Sequence, residues 1–594
     1  MCGICGEIRF DGQRPDVEAV ARVTEAMAPR GPDGAGVWSS GTAALGHRRL
    51  AIIDLSRRGD QPMVDPEAGL SVVFNGCIYN HRELRAELEG AGHRFFSTSD
   101  TEVILRGYRE WGADVVTHLQ GMFAFAVVER DSGRSVLARD RLGIKPLYLA
   151  VTGSRLRFAS SLPALLRSGG VDTDIDPVAL HHYLTFHAVV PAPRTLLKGV
   201  TKLPPATVAT FEADGSRRDH CYWDPSFGTG DAGARTEQEW REAVEAALRL
   251  AVERRIVADV PVGVLLSGGL DSSLIVALLA EAGQTGLETF SIGFESAGGE
   301  KGDEFHWSDQ VAERYGTHHH RAVVPTGDVL DAVPGAIDAM TEPMVSHDVV
   351  AFYLLSREVS RHVKVVQSGQ GADEVFAGYH WYQDLGRGPS EVEADVDAYA
   401  GVFFDRDDTE VDEVVSDHLR VDGDPSRRFV VERFAAPGAG STLDRALRID
   451  TEIMLVEDPV KRVDNTTMAW GLEARVPFLD HELVELAMAV PPGMKTEQGG
   501  KAVLKDIGRA LLPLEVVDRP KGYFPVPPLV HLETDAVGLL RDALHDPRAR
   551  RRGLFRPDHV EELLGEPDRL TRLRYNQLWE LGVLELWLQA HVDA

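Results

Sequence analysis

The chain has 594 residues and only four cysteines, Cys2, Cys5, Cys77 and Cys221. So few, so unevenly spaced, they exclude a disulfide framework in a protein of this size and fit a reducing cytoplasm. No stretch approaches the ~20 consecutive apolar residues that span a bilayer, and the N-terminus shows no basic segment followed by an apolar run and a cleavage site. The reading is a soluble cytoplasmic protein with no membrane partner. Positive charge is also short: 63 Lys and Arg stand against 92 Asp and Glu, a formal net charge of -29. Binding a nucleic-acid backbone would need a strongly segregated basic patch, and none is present. Lysine is scarce against arginine, so Lys501, Lys505 and Lys521 stand out, with solvated surface charge as the plain alternative for each. Internal repeats and low-complexity tracts are missing too.

What is present reads as more than one domain, because a chain this long exceeds what one hydrophobic core accommodates. Residues 1–210 show short strands, such as HRRLAIID (47–54) and SVVFNGCIYN (71–80), among helical stretches at 81–92 and 101–112. Asp131-Ser132-Gly133 between two apolar runs signals a hairpin. This part is α+β. Composition shifts to Gly, Thr and charge over 211–240, the linker, and a long amphipathic helix then runs to about Ile256. Over 241–594, VPVGVLL (260–266), ETFSIGF (288–294) and KVVQSG (364–369) are buried strands separated by helical patterns, as in a parallel α/β sheet. The acidic segment 388–440 lacks strong periodicity and reads as a mobile insertion or a peripheral helical elaboration.

Two places carry chemistry. Once the initiator methionine is removed, Cys2 joins a nucleophilic thiol to an α-amine of pKa near ~8 that can take its proton, with no histidine required. An incidental cysteine is the alternative for that residue alone. Cys2 and Cys5 spell C-x-x-C, but no second ligand pair follows at zinc spacing, so Cys5 is expected to be a small buried residue. The second place is SGGLDSS (267–273), fed by the apolar run and followed by LIVALLAEAG. Gly268 and Gly269 let backbone approach an anion, while Ser267, Ser272, Ser273 and the helix N-terminus donate hydrogen bonds. It lacks the G-K-[ST] of a Walker A loop. Neighbouring histidines on a strand point to opposite faces, so His318–His320 are expected to be structural.

MCGICG, RGPDG (30–34), GHRRL (46–50), NGCIYNH (75–81) and SDTEV (99–103), in that order, resemble the class II glutamine amidotransferase domain. SGGLDSS resembles the pyrophosphate loop of ATP pyrophosphatases, and the whole of 1 to roughly 530 resembles glutamine-hydrolysing asparagine synthetases. The resemblance implies an N-terminal-nucleophile hydrolase sandwich (αββα) followed by an α/β ATP-pyrophosphatase domain. It implies that Arg49 holds the glutamine α-carboxylate, Asp100 the α-amino group, and Asn75 with the Gly76 N–H the oxyanion. ATP, as substrate, would lie against Leu266, Ser267, Gly268, Gly269, Asp271, Ser272, Ile292, Ser368 and Gly369. Asp271 and Asp373, the latter in QSGQGADEVFAGY (367–379), would coordinate Mg²⁺. Lys501 in GGKAVLK would stabilise charge on the α-phosphate as an acyl-adenylate forms. TMAWGLEARVPFLD (467–480) resembles the acceptor-side motif, with Glu473, Arg475 and Asp480 binding substrate or holding that wall in place.

Two positions depart from the family pattern: Cys77 and Gln370 stand where glutamates are usual. A neutral amide at 370 cannot act as a general base. MCGICGEIRFDG, NGCIYNH, SGQGADEVFAGYHWY and PKGYFPVP are similar to the N-acetylglutaminylglutamine amidotransferase branch, which amidates a blocked dipeptide osmoprotectant. Asparagine synthesis from aspartate is the alternative acceptor chemistry. β-Lactam synthetases share the architecture but lack the N-terminal cysteine; a non-catalytic glutamine or nucleotide sensor predicts a damaged phosphate loop, and this one is intact. The expected partners are small molecules, namely glutamine, ATP and a carboxylate acceptor, and a homodimer is compatible with the reading.

Overall fold

The computed structural model describes residues 2–225, 227, 235–295, 302–388, 390–519, 529, 532 and 534–593. The strands Leu70–Ile78 and Gly121–Glu129 are apolar almost throughout, so both of their faces must be covered. They pair antiparallel at the centre of a six-stranded sheet whose order is 217–221, 207–211, 135–139, 121–129, 70–78, 63–65. A second six-stranded sheet runs 201–202, 148–152, 155–159, 3–9, 43–49, 34–40. Ile4, Leu45, Val73, Ala124, Leu137 and Phe158 fill the space between the sheets. Outside one sheet lie helices His81–Gly90 and Asp100–Trp111, packed on Phe74, Phe123 and Phe125. Outside the other lies Val17–Ala26, packed through Val20 and Val23 on Cys5 and Ala44. The result is the four-layered αββα sandwich.

The turn at Asp131-Ser132-Gly133 forms where expected, with the Glu129 N–H bonded to the Arg134 carbonyl at 2.9 Å. Strand Arg217–Cys221 adds an edge beyond residue 210, so the sandwich continues to Cys221. The helix Glu237–Arg254 then starts at a capping box in which Thr236 and Glu239 satisfy each other's backbone donors.

The second part holds a five-stranded parallel sheet in the order 318–324, 288–294, 262–265, 365–367, 473–475. Strand Val262–Leu265 ends in the glycine-rich turn, and helix Leu270–Glu281 is buried along most of its length. His318 and His320 face Glu288, whereas His319 meets Thr289 and Ser291 on the other face. The 388–440 segment forms helices Val392–Phe403, Asp408–Val414 and Pro425–Ala435, anchored by buried Val396, Tyr399 and Phe434. Of the two forms expected for it, the structure shows the helical elaboration. Helix Thr442–Ile449 continues through two π-helical stretches, Asp450–Met454 and Val456–Val460, into Lys461–Met468. The wider register accommodates Pro459, which has no N–H to donate.

Buried ion pairs lock the two parts together. Lys202 reaches Glu342 at 3.0 Å and Glu457 at 2.6 Å, and Lys461 completes that cluster. Asp464 accepts from Arg30 at 3.0 Å and from Lys145 at 3.2 Å. No helix among the described residues is long and apolar enough to cross a membrane.

Candidate functional site

Two cavities flank the contact between the parts. The smaller is lined by Cys2, Arg49, Gly76, Cys77, Asp100, Glu473 and Arg475, among others. Cys2 immediately precedes strand Gly3–Arg9, and its backbone nitrogen donates to Asn75 Oδ1 at 3.0 Å. Burial pushes the Cys2 thiol above its ordinary range, so attack needs a base that removes the proton as the bond forms. Asn75 is fully buried, and its Nδ2 reaches Ser160 Oγ at 3.5 Å. Gly76 is irreplaceable on steric grounds, since a Cβ there would lie 2.1 Å from the Met122 carbonyl oxygen. Arg49 is held by the Ser56 carbonyl at 2.8 Å, by Asp60 at 2.7 Å and by the Asp54 carbonyl. Asp100 opens its helix, and its Oδ2 accepts from the Ile78 N–H at 3.1 Å. Burial also pushes the Asp100 carboxyl up, so a cation arriving beside it is strongly favoured.

The larger cavity, about 560 Å³, is lined by Leu266, Ser267, Gly269, Asp271, Ser272, Ile292, Ser368, Gly369, Gln370, Asp373 and Lys501. Every predicted nucleotide-side residue except Gly268 and the fully buried Ser273 lines it. Gly268, at φ +74, turns the loop against the neighbouring helix, where a Cβ would lie 2.5 Å from the Ser308 nitrogen. Lys501 Nζ bridges Asp271 at 2.6 Å and Asp373 at 2.8 Å. Burial works against that charge, and the two carboxylates more than offset it, holding the ammonium above the usual lysine range. Two hard oxygen donors converging on one cation are a donor set that fits Mg²⁺. Lys501 itself has φ +56, an uncommon conformation for a side-chain-bearing residue, and a Cβ on Gly378 would lie 2.1 Å from Lys501 Cε.

Of the four residues expected on the acceptor side, Gln370 lines the large cavity, whereas Glu473, Arg475 and Asp480 lie elsewhere. Glu473 and Arg475 line the smaller cavity, because strand Glu473–Arg475 is the sheet edge that meets the amidotransferase sandwich. Arg475 donates to Glu473 at 2.5 Å and to the carbonyls of Arg255 and Val257. Asp480 accepts from Arg254 and Arg255 and caps helix His481–Ala489. The motif therefore builds the contact between domains. Conversely, Asp348, Tyr379 and Arg462 line the large cavity without having been singled out in the sequence. The signal that could have found Arg462 is the charge run within VEDPVKRVD (456–464), which is out of place in a core-facing helix. The segment PKGYFPVP (520–527) lies outside the described residues.

Fold and cavities define a class: an N-terminal-nucleophile amidotransferase half joined to a parallel-sheet half with a phosphate-binding turn. The comparisons agree with both halves. The glutamine amidotransferase domain family matches residues 1–223 and the asparagine synthase family matches residues 243–589. Asparagine synthetase [glutamine-hydrolyzing] 3 of Bacillus subtilis is 30% identical, with 88% of this chain and 87% of that protein covered. A putative asparagine synthetase of Mycobacterium tuberculosis (H37Rv) is 35% identical over 86% of this chain and 84% of its own. Asparagine synthetase B of Escherichia coli K12 is 30% identical over 88% and 82%. The chain belongs to the asparagine synthase family, and it is a carbon–nitrogen ligase.

Proposed function

We propose that the protein transfers the amide nitrogen of glutamine to a carboxylate activated by ATP. Cys2 attacks the side-chain amide, giving a glutamyl thioester and ammonia; Asn75 and the Gly76 N–H stabilise the oxyanion, and the α-amine carries the proton. In the larger cavity, an acceptor carboxylate attacks the α-phosphorus of ATP, giving an acyl-adenylate and pyrophosphate. Ammonia then displaces AMP and leaves the amide. Asp271 and Asp373 would hold Mg²⁺, which neutralises phosphate charge, and Lys501 would stabilise the α-phosphate. In water, ammonia would mostly become unreactive ammonium, so an internal path is required. The Ser368 N–H, bordering one cavity, donates at 2.8 Å to the carbonyl of Arg475, which borders the other, so the two walls meet there and a path between the cavities would be short.

We further propose N-acetylglutaminylglutamine as the acceptor, with aspartate as the alternative that the relatives' names favour. The observation that carries this choice is Gln370, whose neutral amide lines the large cavity between Gly369 and the Asp373 turn. An acceptor whose amine is blocked brings no ammonium there to be deprotonated or neutralised, so a carboxylate at 370 has nothing to pair with. The test is incubation with ATP, Mg²⁺ and amide-¹⁵N glutamine, offering each acceptor separately, with mass spectrometry of the products. Label in the dipeptide amide is expected; label in asparagine alone would overturn the acceptor assignment while sparing the reaction class.

A further inference from the structure

The smaller cavity contains a carboxylate that the amidotransferase domain does not supply. Its lining side chains from that domain offer one carboxylate, Asp100, together with the neutral thiol of Cys77, which burial drives far above its ordinary range. The other carboxylate in the lining is Glu473, brought in by the edge strand of the parallel sheet. Glu473 is almost wholly buried, yet it stays ionised: burial pushes it up, and the chain's N-terminal ammonium first, then Arg475 and Lys145, hold it down to about 2. It acts on the same atoms as Asp100, because both raise the Cys2 thiol and the Cys77 thiol. Among the described residues that line the cavity, the cationic side chains are Arg49, anchored by Asp60 and two carbonyls, and Arg475, which is already paired to Glu473.

An α-amino acid entering such a cavity brings a carboxylate, which Arg49 can take, and an ammonium, which needs compensation as it loses water. Asp100 alone supplies one negative charge, and its own burial makes that charge costly. We propose that Glu473 is a glutamine-binding residue that shares the α-ammonium with Asp100, so that the glutamine site is completed by the synthetase domain. This rests on the reading of the Cys2 cavity as the glutamine site. Arg475 is then a positioning residue, fixing Glu473 through its Nε while its Nη1 is tied to the carbonyls of Arg255 and Val257.

Two thiol reagents separate this role from a structural one. 6-Diazo-5-oxonorleucine carries an α-ammonium and an α-carboxylate; iodoacetamide carries neither. In Glu473→Gln, the rate of Cys2 labelling by the diazo compound, read by intact mass on the full chain, is expected to fall about tenfold to a hundredfold, the size of a lost charge-assisted hydrogen bond. Iodoacetamide alkylation of Cys2 is expected not to slow, and the glutamine KM to rise by the same factor as the diazo labelling falls. Equal slowing with both reagents, or no change with either, would overturn the proposal. If Glu473→Gln does not accumulate folded, Glu473→Asp carries the same test with a smaller shift in the same direction. Wild-type protein that the diazo compound fails to label would instead refute the glutamine site itself.

Discussion

At the scale of single residues, Cys2 and Lys501 divide the chemistry. Cys2→Ala removes the thiol that attacks glutamine, so glutamine-dependent amidation should vanish while amidation from added ammonium persists. Parallel loss of both, in a protein that still folds, would contradict the division of labour. Lys501→Ala should act in the opposite way. Removing a charge poised at the reacting phosphate should lower the synthetase kcat by at least about a hundredfold, in line with losing one electrostatic stabiliser, with glutaminase turnover retained. Both residues were legible in the sequence because each sits in a contiguous motif whose local geometry is nearly fixed by its own glycines. Glu473 was legible only as part of a motif; its location was not, because it depends on which strand takes the edge of the sheet.

At the scale of elements, the strands feeding the phosphate turn could be read from apolar runs bounded by turn residues, and the helix after it from the loop's own logic. The π-helical stretches were not readable, since they depend on what the helix packs against. Asp450 lies in the first of them, its carboxyl oxygens accepting from the Tyr399 hydroxyl at 2.5 Å and from the Tyr382 hydroxyl. Burial pushes its carboxyl up to about 7 from an ordinary 3.8, and the two hydroxyls only partly offset this. With the folded pKa above the unfolded one, the proton is held more tightly in the native state. Its contribution is therefore fully present below about pH 4 and lost as pH rises through about 7. Asp450→Asn removes this titration, so its melting temperature relative to wild type should rise between pH 4 and 7 and stay level above. A difference independent of pH would refute the assigned shift.

At the scale of the molecule, the domain order was legible because the two motif sets appear in sequence, whereas the docking was not, because Lys202, Glu342, Glu457 and Lys461 meet only in the folded chain. Burial pushes Glu457 up, and Lys202 and Lys461 hold it down to about 2. Glu457→Gln leaves two lysines facing a single remaining carboxylate, Glu342. Breaking a buried pair in this way costs roughly 3–5 kcal/mol, so unfolding should shift to lower denaturant or split into two transitions; an unchanged single transition would exclude a docking role. The central claim is that the two cavities work as one enzyme. Its most direct test supplies amide-¹⁵N glutamine together with excess unlabelled ammonium, ATP, Mg²⁺ and both acceptors, and reads the isotope in the product amide. Coupled sites predict product enriched in ¹⁵N far above the ratio in bulk solution; label diluted to the bulk ratio would show that ammonia leaves the protein before it reacts, and would contradict the account.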